Sequence, residues 1–268
     1  MNRIQRRFDE LRASRRKGFI PFVTAGDPTL ETSLAIVRKL AEFGADVIEL
    51  GVPFSDPMAD GPTIQRSSQR ALSHGTTLSH VLELSRALRK SSDIPVVLFS
   101  YLNPVYAYGI ERLASDAAES GIDGILITDT VDEEAMAFRT QFAAKAIDLI
   151  SLVAPTTSET RLERICGDAT GFLYAVSRAG VTGVQDQTSQ TAADLVSRAK
   201  RYTKIPIAVG FGISTDKQIR DVWQYADAAV VGSAIVSEVE KNLASDRLPE
   251  RIGEFVGRLL PSVAKTFV

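Results

Sequence analysis

The sequence is poor in the residues that most often carry chemistry on their own. It holds one cysteine, Cys166, and two histidines, His74 and His80, among 268 residues. A lone cysteine excludes an intramolecular disulfide and any cysteine-cluster metal site, and it fits a reducing compartment. The two histidines sit beside one helical segment, away from every predicted strand end. That excludes a metal pair or a catalytic triad built on them and predicts exposed or partly packed rings. None of the lysines falls at the C-terminal end of a predicted strand, so a Schiff-base aldolase has no nucleophile here. Walker and Rossmann glycine motifs are missing, which leaves no nucleotide cofactor implied. No apolar run approaches the roughly 20 residues of a membrane span. A formal charge of −2 gives no electrostatic case for nucleic acid or an anionic membrane.

What is present is ordinary for a soluble globular protein, with 44% hydrophobic and 24% charged residues. The length suits one large α/β barrel or two small domains. The basic N-terminus, MNRIQRRFDELRASRRKG, has the look of a transit peptide. Asp9 and Glu10 inside it argue otherwise, and Ile4, Phe8 and Leu11 recur at helical spacing. A short amphipathic helix lying against the fold is the expectation.

One unit recurs along the chain. GADVIELG (Gly44–Gly51), GIDGILIT (Gly121–Thr128) and YADAAVVG (Tyr225–Gly232) each lead from a helix end through a small-residue/Asp step into a buried strand. IPVVLF (Ile94–Phe99) and IPIAVG (Ile205–Gly210) form a second matching pair. Gly18–Val23, Ile147–Val153 and Gly171–Val176 complete eight short strands. Helix-period segments lie between them, at Leu30–Phe43, Leu78–Lys90, Ile110–Ser120, Glu133–Ala144, Glu159–Cys166, Ala192–Tyr202, Asp216–Tyr225 and Ser233–Leu243. Strict βα alternation with buried strands predicts a parallel sheet, and eight such units predict a single (β/α)8 TIM barrel domain over residues 1–268. A doubly wound open sheet is the rival, but TAGDP follows the first strand in place of a dinucleotide fingerprint. Extra helices are expected in the loops after strands two (near Thr63–Leu72) and eight. The loops after strands two and six are long and open at the strand C-termini, where barrel enzymes keep their active sites.

The stretch VIELGVPFSDPMADG (Val47–Gly61) carries the main chemical signal. Strand alternation puts Val47 and Glu49 on one face and Ile48 and Leu50 on the other. If Ile48 and Leu50 meet the helices, Glu49 points into the barrel. An unpaired carboxyl there has its pKa raised by burial, which is how it becomes a general acid near neutral pH. The bland alternative is a solvated or salt-bridged glutamate at a strand end. RAGVTG (Arg178–Gly183), GFGIS (Gly210–Ser214) and VGSAI (Val231–Ile235) each put glycine at a strand end, where backbone N–H groups can approach an anion. Gly232 and Ser233 also open a helix. Tight βα turns alone would also use such glycines. Cys166, late in a helix, reads as a packed small residue. Carboxylate acid–base catalysis on a phosphorylated small molecule is what remains.

IELGVPFSDPMADG resembles the signature of the tryptophan synthase alpha subunit family. The resemblance extends over PFVTAGDP (Pro21–Pro28), GPTIQ (Gly61–Gln65), NPVY (Asn103–Tyr106), APTT (Ala154–Thr157), SRAGVTG (Ser177–Gly183) and GFGIS (Gly210–Ser214). It implies a cytoplasmic carbon–carbon lyase of tryptophan biosynthesis, or a stromal one if the chain is a processed plant protein. The reaction implied is retro-aldol cleavage of indole-3-glycerol phosphate to indole and glyceraldehyde 3-phosphate, without metal or cofactor. By the same resemblance Glu49 is the acid–base group near indole C3, and Asp60 accepts the indole N–H. Gly183, Gly212, Gly232 and Ser233 would hold the phosphate, and Phe22, Ile64, Tyr174 and Phe211 would wall the indole. Thr182 would close over Asp60. The family docks on a beta subunit, as an alpha2beta2 tetramer, through the loops after strands two and four. This chain departs there: TDTVDEE (Thr128–Glu134) has Val131 after Thr130 where the family typically has proline. The competing readings are a regulatory subunit whose own chemistry is weak and a different phosphosugar-binding barrel, such as an isomerase.

Overall fold

Alternation along each short strand sorts the apolar side chains into two layers. The computed structural model describes residues 2–130, 132–176, 185–210 and 212–260. Ile48 and Leu50 pack outward among the helices, whereas Val47 packs inward, as the two-residue strand period requires. The inner layer also holds Ile20, Phe22, Val97, Phe99, Phe172 and Tyr174.

The strands are β1 (Gly18–Thr24), β2 (Ile48–Gly51), β3 (Val96–Ser100), β4 (Gly124–Ile127), β5 (Asp148–Leu149), β6 (Ser151–Val153), β7 (Leu173–Val176), β8 (Ile207–Gly210) and β9 (Ala228–Val231). All pairings are parallel, in the order β5-β4-β3-β2-β1-β9-β8-β7-β6. The two edges of that sheet, β5 and β6, are separated in the chain by Ile150 alone, whose N–H donates to the Ile125 carbonyl at 2.8 Å. The sheet therefore wraps into a nearly closed barrel. The strand predicted over Ile147–Val153 is present as these two pieces.

The helices are α1 (Arg3–Ala13), α2 (Leu30–Glu42), α3 (Pro62–Ser73), α4 (Leu78–Arg89), α5 (Leu102–Tyr108), α6 (Ile110–Glu119), α7 (Asp132–Ala143), α8 (Glu159–Asp168), α9 (Gln185–Ala199), α10 (Asp216–Trp223), α11 (Ser233–Lys241) and α12 (Leu248–Leu259). The expected extra helix after strand two is α3. After β9 there are two helices, so the expected extra helix is present there too. α12 packs on α2 and completes the outer ring, with Gly253 and Gly257 lying against the Phe43 ring, so α11 is the added one. The sequence did not predict α5. It is too short to display a period, and it starts where the Asp129 carboxylate accepts the Leu102 N–H at 2.7 Å.

The recurring small-residue/Asp step has a structural cause. Asp46, Asp123 and Asp227 precede β2, β4 and β9, and each grips the neighbouring strand twice. Their carboxylates accept the N–H groups of Phe19, Val96 and Ile207 at 2.7, 2.9 and 3.0 Å. Their own N–H groups donate to the carbonyls of the same three residues at 2.9, 2.9 and 2.8 Å. These clasps lie at the N-terminal mouth of the barrel, which α1 closes. Ile4, Phe8 and Leu11 of α1 are buried, and the Phe8 and Phe172 rings are 5.8 Å apart. Arg7 and Arg3 of the same helix pair with Asp46 at 2.7 Å and Asp123 at 3.0 Å. The N-terminal mouth is thus a stability device, which leaves the other mouth for function.

Candidate active site

At the C-terminal mouth a cavity of about 1160 Å³ opens. Phe22, Glu49, Asp60, Ile64, Tyr174, Gly212, Gly232 and Ser233 all line it, though they come from five different βα units. The other predicted binding residues, Thr182, Gly183 and Phe211, lie outside the described residues, as does Val131. The cavity runs on toward α7 and α8, where Arg139 and Arg164 also line it.

Glu49 points inward from β2, as its strand position demands, and is only 1% exposed. Its register partners are Phe22 on β1 and Val97 on β3, both apolar. Its Oε1 has no hydrogen-bond partner among the described residues. Burial alone pushes its pKa up to about 8. The solvated or salt-bridged strand-end glutamate is thereby set aside.

Asp60 sits at the end of the loop after β2 and is half-buried. Burial raises its pKa to about 6, against the pull of a hydrogen bond from Tyr101. Tyr101, which follows β3, is the residue sequence reasoning missed. Its hydroxyl accepts the Ala59 N–H at 3.1 Å and bonds the Asp60 carboxylate, so it ties the loop back to the barrel. Its ring lies 5.2 Å from Phe54 of the same loop. The available signal was an aromatic residue with a polar tip at a strand C-terminus. From the other side, the Gln65 side chain donates to the Asp60 carbonyl at 2.9 Å, which gives the GPTIQ motif a local purpose.

The cavity walls are fixed by close packing. Phe22 and Phe99 meet edge to face at 5.2 Å. A Cβ at Gly51 would fall 2.5 Å from the Phe22 ring, and one at Gly210 would fall 2.1 Å from the Tyr174 hydroxyl. These two strand-end glycines therefore make room for aromatic side chains. Tyr174 is buried, and burial together with the charges of Glu49 and Asp60 raises its pKa well above the usual value.

Gly232 caps α11 without any side-chain hydrogen bond, and Ser233 is the first residue of that helix. The N–H groups of a helix's first turn have no intrahelical acceptor, so this end of the cavity favours an anion. Among the described residues no group of three or more His, Cys, Asp or Glu side chains is arranged to hold a metal ion. His74 caps the C-terminus of α3, and His80 serves the capping box of α4, away from the cavity. Cys166 is buried, with Ala199 as its neighbour.

The arrangement thus brings a buried carboxyl with a raised pKa, a second, half-buried carboxyl and the open start of a helix to one cavity. The chain is also similar to known proteins over nearly its whole length. A family model described as "Tryptophan synthase alpha chain" matches residues 8–255. The tryptophan synthase alpha chain of Solibacter usitatus is 46% identical over 259 residues, covering 97% of both chains. That of Desulfosudis oleivorans is 47% identical over 243 residues, covering 91% of this chain and 92% of the relative. The crystal structure of tryptophan synthase subunit alpha from Legionella pneumophila superposes with a TM-score of 0.89 at 37% identity, over 97% of each chain. With the barrel, the cavity and near full-length similarity in agreement, the chain belongs to the tryptophan synthase alpha chain family.

Proposed function

We propose that this protein cleaves indole-3-glycerol phosphate to indole and glyceraldehyde 3-phosphate. The observation that carries the proposal is the pair of carboxyls whose environments push their pKa values apart, to about 8 at Glu49 and about 6 at Asp60. Near pH 7 the first holds its proton and the second has lost it. Glu49 gives its proton to C3 of the indole ring, and positive charge grows on the ring nitrogen. The Asp60 carboxylate accepts that N–H and stabilises the charge. The Glu49 carboxylate then takes the proton of the side-chain hydroxyl. A carbonyl forms, the carbon–carbon bond breaks, and its electrons restore the indole. Glu49 has given one proton and taken one, so it ends as it began. These steps move protons alone and call for no cofactor.

Phe22, Ile64, Tyr174 and Phe211 wall the ring, while Gly183, Gly212, Gly232 and Ser233 take the phosphate. Thr182 closes over Asp60, excluding water and ordering the loop. An alpha chain implies an assembly, and the partner in this reading is a tryptophan synthase beta subunit, in an alpha2beta2 tetramer. The loop after β2 suits docking, since Met58 on it is 94% exposed. The test is indole release from indole-3-glycerol phosphate by the purified protein in chelator, with and without a beta subunit. Release, stimulated by the partner, is the expected result; no indole under either condition overturns the reading.

A further inference from the structure

Away from the cavity, three elements of the site meet through one chain of charges. Arg70, in the last turn of α3, donates Nε and Nη2 to the two carboxylate oxygens of Asp27, both at 2.8 Å, and Nη1 to Glu240 of α11 at 2.9 Å. Arg66, one turn earlier on α3, donates Nε and Nη2 to the two oxygens of Glu240, both at 2.7 Å. Asp27 belongs to the TAGDP turn after β1 and is 5% exposed, so its carboxylate needs this counter-charge. Glu240 lies near the C-terminus of α11, where the helix dipole disfavours an acid, and its two arginines are what make the position tenable.

Few apolar side chains anchor α3. Its buried residues are Ser67, Ser68 and Ala71, which remove little apolar surface from water. Ile64 is only partly buried against the inner core, and a further tie into the barrel is polar, a 2.6 Å hydrogen bond between the Ser67 and Thr24 hydroxyls. α3 nevertheless carries a demanding load. It begins at Pro62, directly after Asp60 and Gly61, and its Gln65 holds the Asp60 carbonyl. α11 begins at the Gly232–Ser233 end of the same cavity.

We propose that Arg70 and Glu240 are positioning residues that brace α3 against α11, fixing the distance between Asp60 and the phosphate-binding helix start. The inference rests on the proposed cleavage reaction and deepens it. A substrate held by its phosphate presents its ring nitrogen at a fixed distance, so a brace that slips leaves the phosphate bound and misplaces Asp60. Misplacement on the order of 1 Å costs about 100-fold in rate.

The experiment compares wild type with Arg70→Lys, which keeps the charge beside Asp27 but loses the fork, and with Glu240→Gln, at a partly exposed site that tolerates exchange. Turnover of indole-3-glycerol phosphate is measured together with binding of glycerol 3-phosphate, which fills the phosphate end alone. The expected result is turnover reduced about 10-fold or more, glycerol 3-phosphate affinity held within about 3-fold, and a double variant no worse than the worse single one. Variants that turn over within about 2-fold of wild type, or that lose turnover and glycerol 3-phosphate binding in equal measure, overturn the brace. Wild type that binds glycerol 3-phosphate but releases no indole removes the cleavage reading itself, and the brace with it.

Discussion

Glu49 stands in register opposite Phe22, so a carboxyl faces an aromatic ring where a cation would have paired it. Together with the unpartnered Oε1, this keeps the acid protonated near neutral pH. Replacing it with glutamine keeps the size and removes the transferable proton. Glu49→Gln is expected to lower turnover by several orders of magnitude while glycerol 3-phosphate still binds, because the substitution removes no N–H group from the start of α11. Near-normal turnover in that variant would take Glu49 out of the acid–base role.

The same substitution has an opposite effect on stability. The Glu49 pKa rises from 4.5 to about 8 on folding, so the native chain keeps a proton that the unfolded chain gives up. Stability contributed by this group is complete below pH 4.5 and is lost as pH climbs through that window toward about 8. At pH 7 the cost is on the order of 3 kcal/mol, at about 1.4 kcal/mol per unit. Glutamine carries no such cost. Denaturant unfolding of Glu49→Gln should therefore show a gain over wild type at pH 7 that shrinks toward nothing near pH 4. A gain independent of pH would mean that the carboxyl ionises freely in the fold.

Much of this was legible in the sequence. Ile48 and Leu50 betrayed the outward face of β2, and parity then sent Glu49 inward. The repeated aspartates marked strand starts, although their function, clasping a neighbouring strand through Phe19, Val96 and Ile207, needed coordinates. Tyr101 and the Arg70–Glu240 brace were illegible for a common reason. Periodicity reports which face of its own element a residue occupies. Tyr101 acts by catching a loop 42 residues earlier in the chain, and Arg70 reaches 170 residues on to Glu240. The short α5 and the break at Ile150 left too few residues for any period to register.

Two carboxyls of opposite protonation predict a bell-shaped pH dependence of turnover, rising through about 6 as Asp60 ionises and falling through about 8 as Glu49 loses its proton. The second ionisation of the substrate phosphate, also near 6, overlaps the acid limb. Tyr101→Phe separates the two. The Tyr101 hydrogen bond lowers the Asp60 pKa, so its removal should move the acid limb to higher pH and leave the alkaline limb in place. An acid limb that stays put belongs to the substrate, and Asp60 then has no part in it.

The phosphate end can be tested by separating shape from charge at Gly232. A Cβ built there meets Phe22 at 3.4 to 3.6 Å, which is ordinary van der Waals contact, and the backbone φ of −112° suits any residue. Gly232→Ala should therefore fold normally and keep glycerol 3-phosphate affinity within about 3-fold, since no N–H group is lost. Gly232→Asp adds a fixed negative charge at the start of α11, where the helix dipole would otherwise attract the dianion. The aspartate takes that favourable position itself and repels the phosphate, and a carboxylate there stabilises α11 by about 0.3–1 kcal/mol. The expected pattern is an unchanged or raised Tm with glycerol 3-phosphate affinity reduced about 100-fold or more, partly recovered at high salt. Equal affinities for the alanine and aspartate variants would place the phosphate away from the first turn of α11.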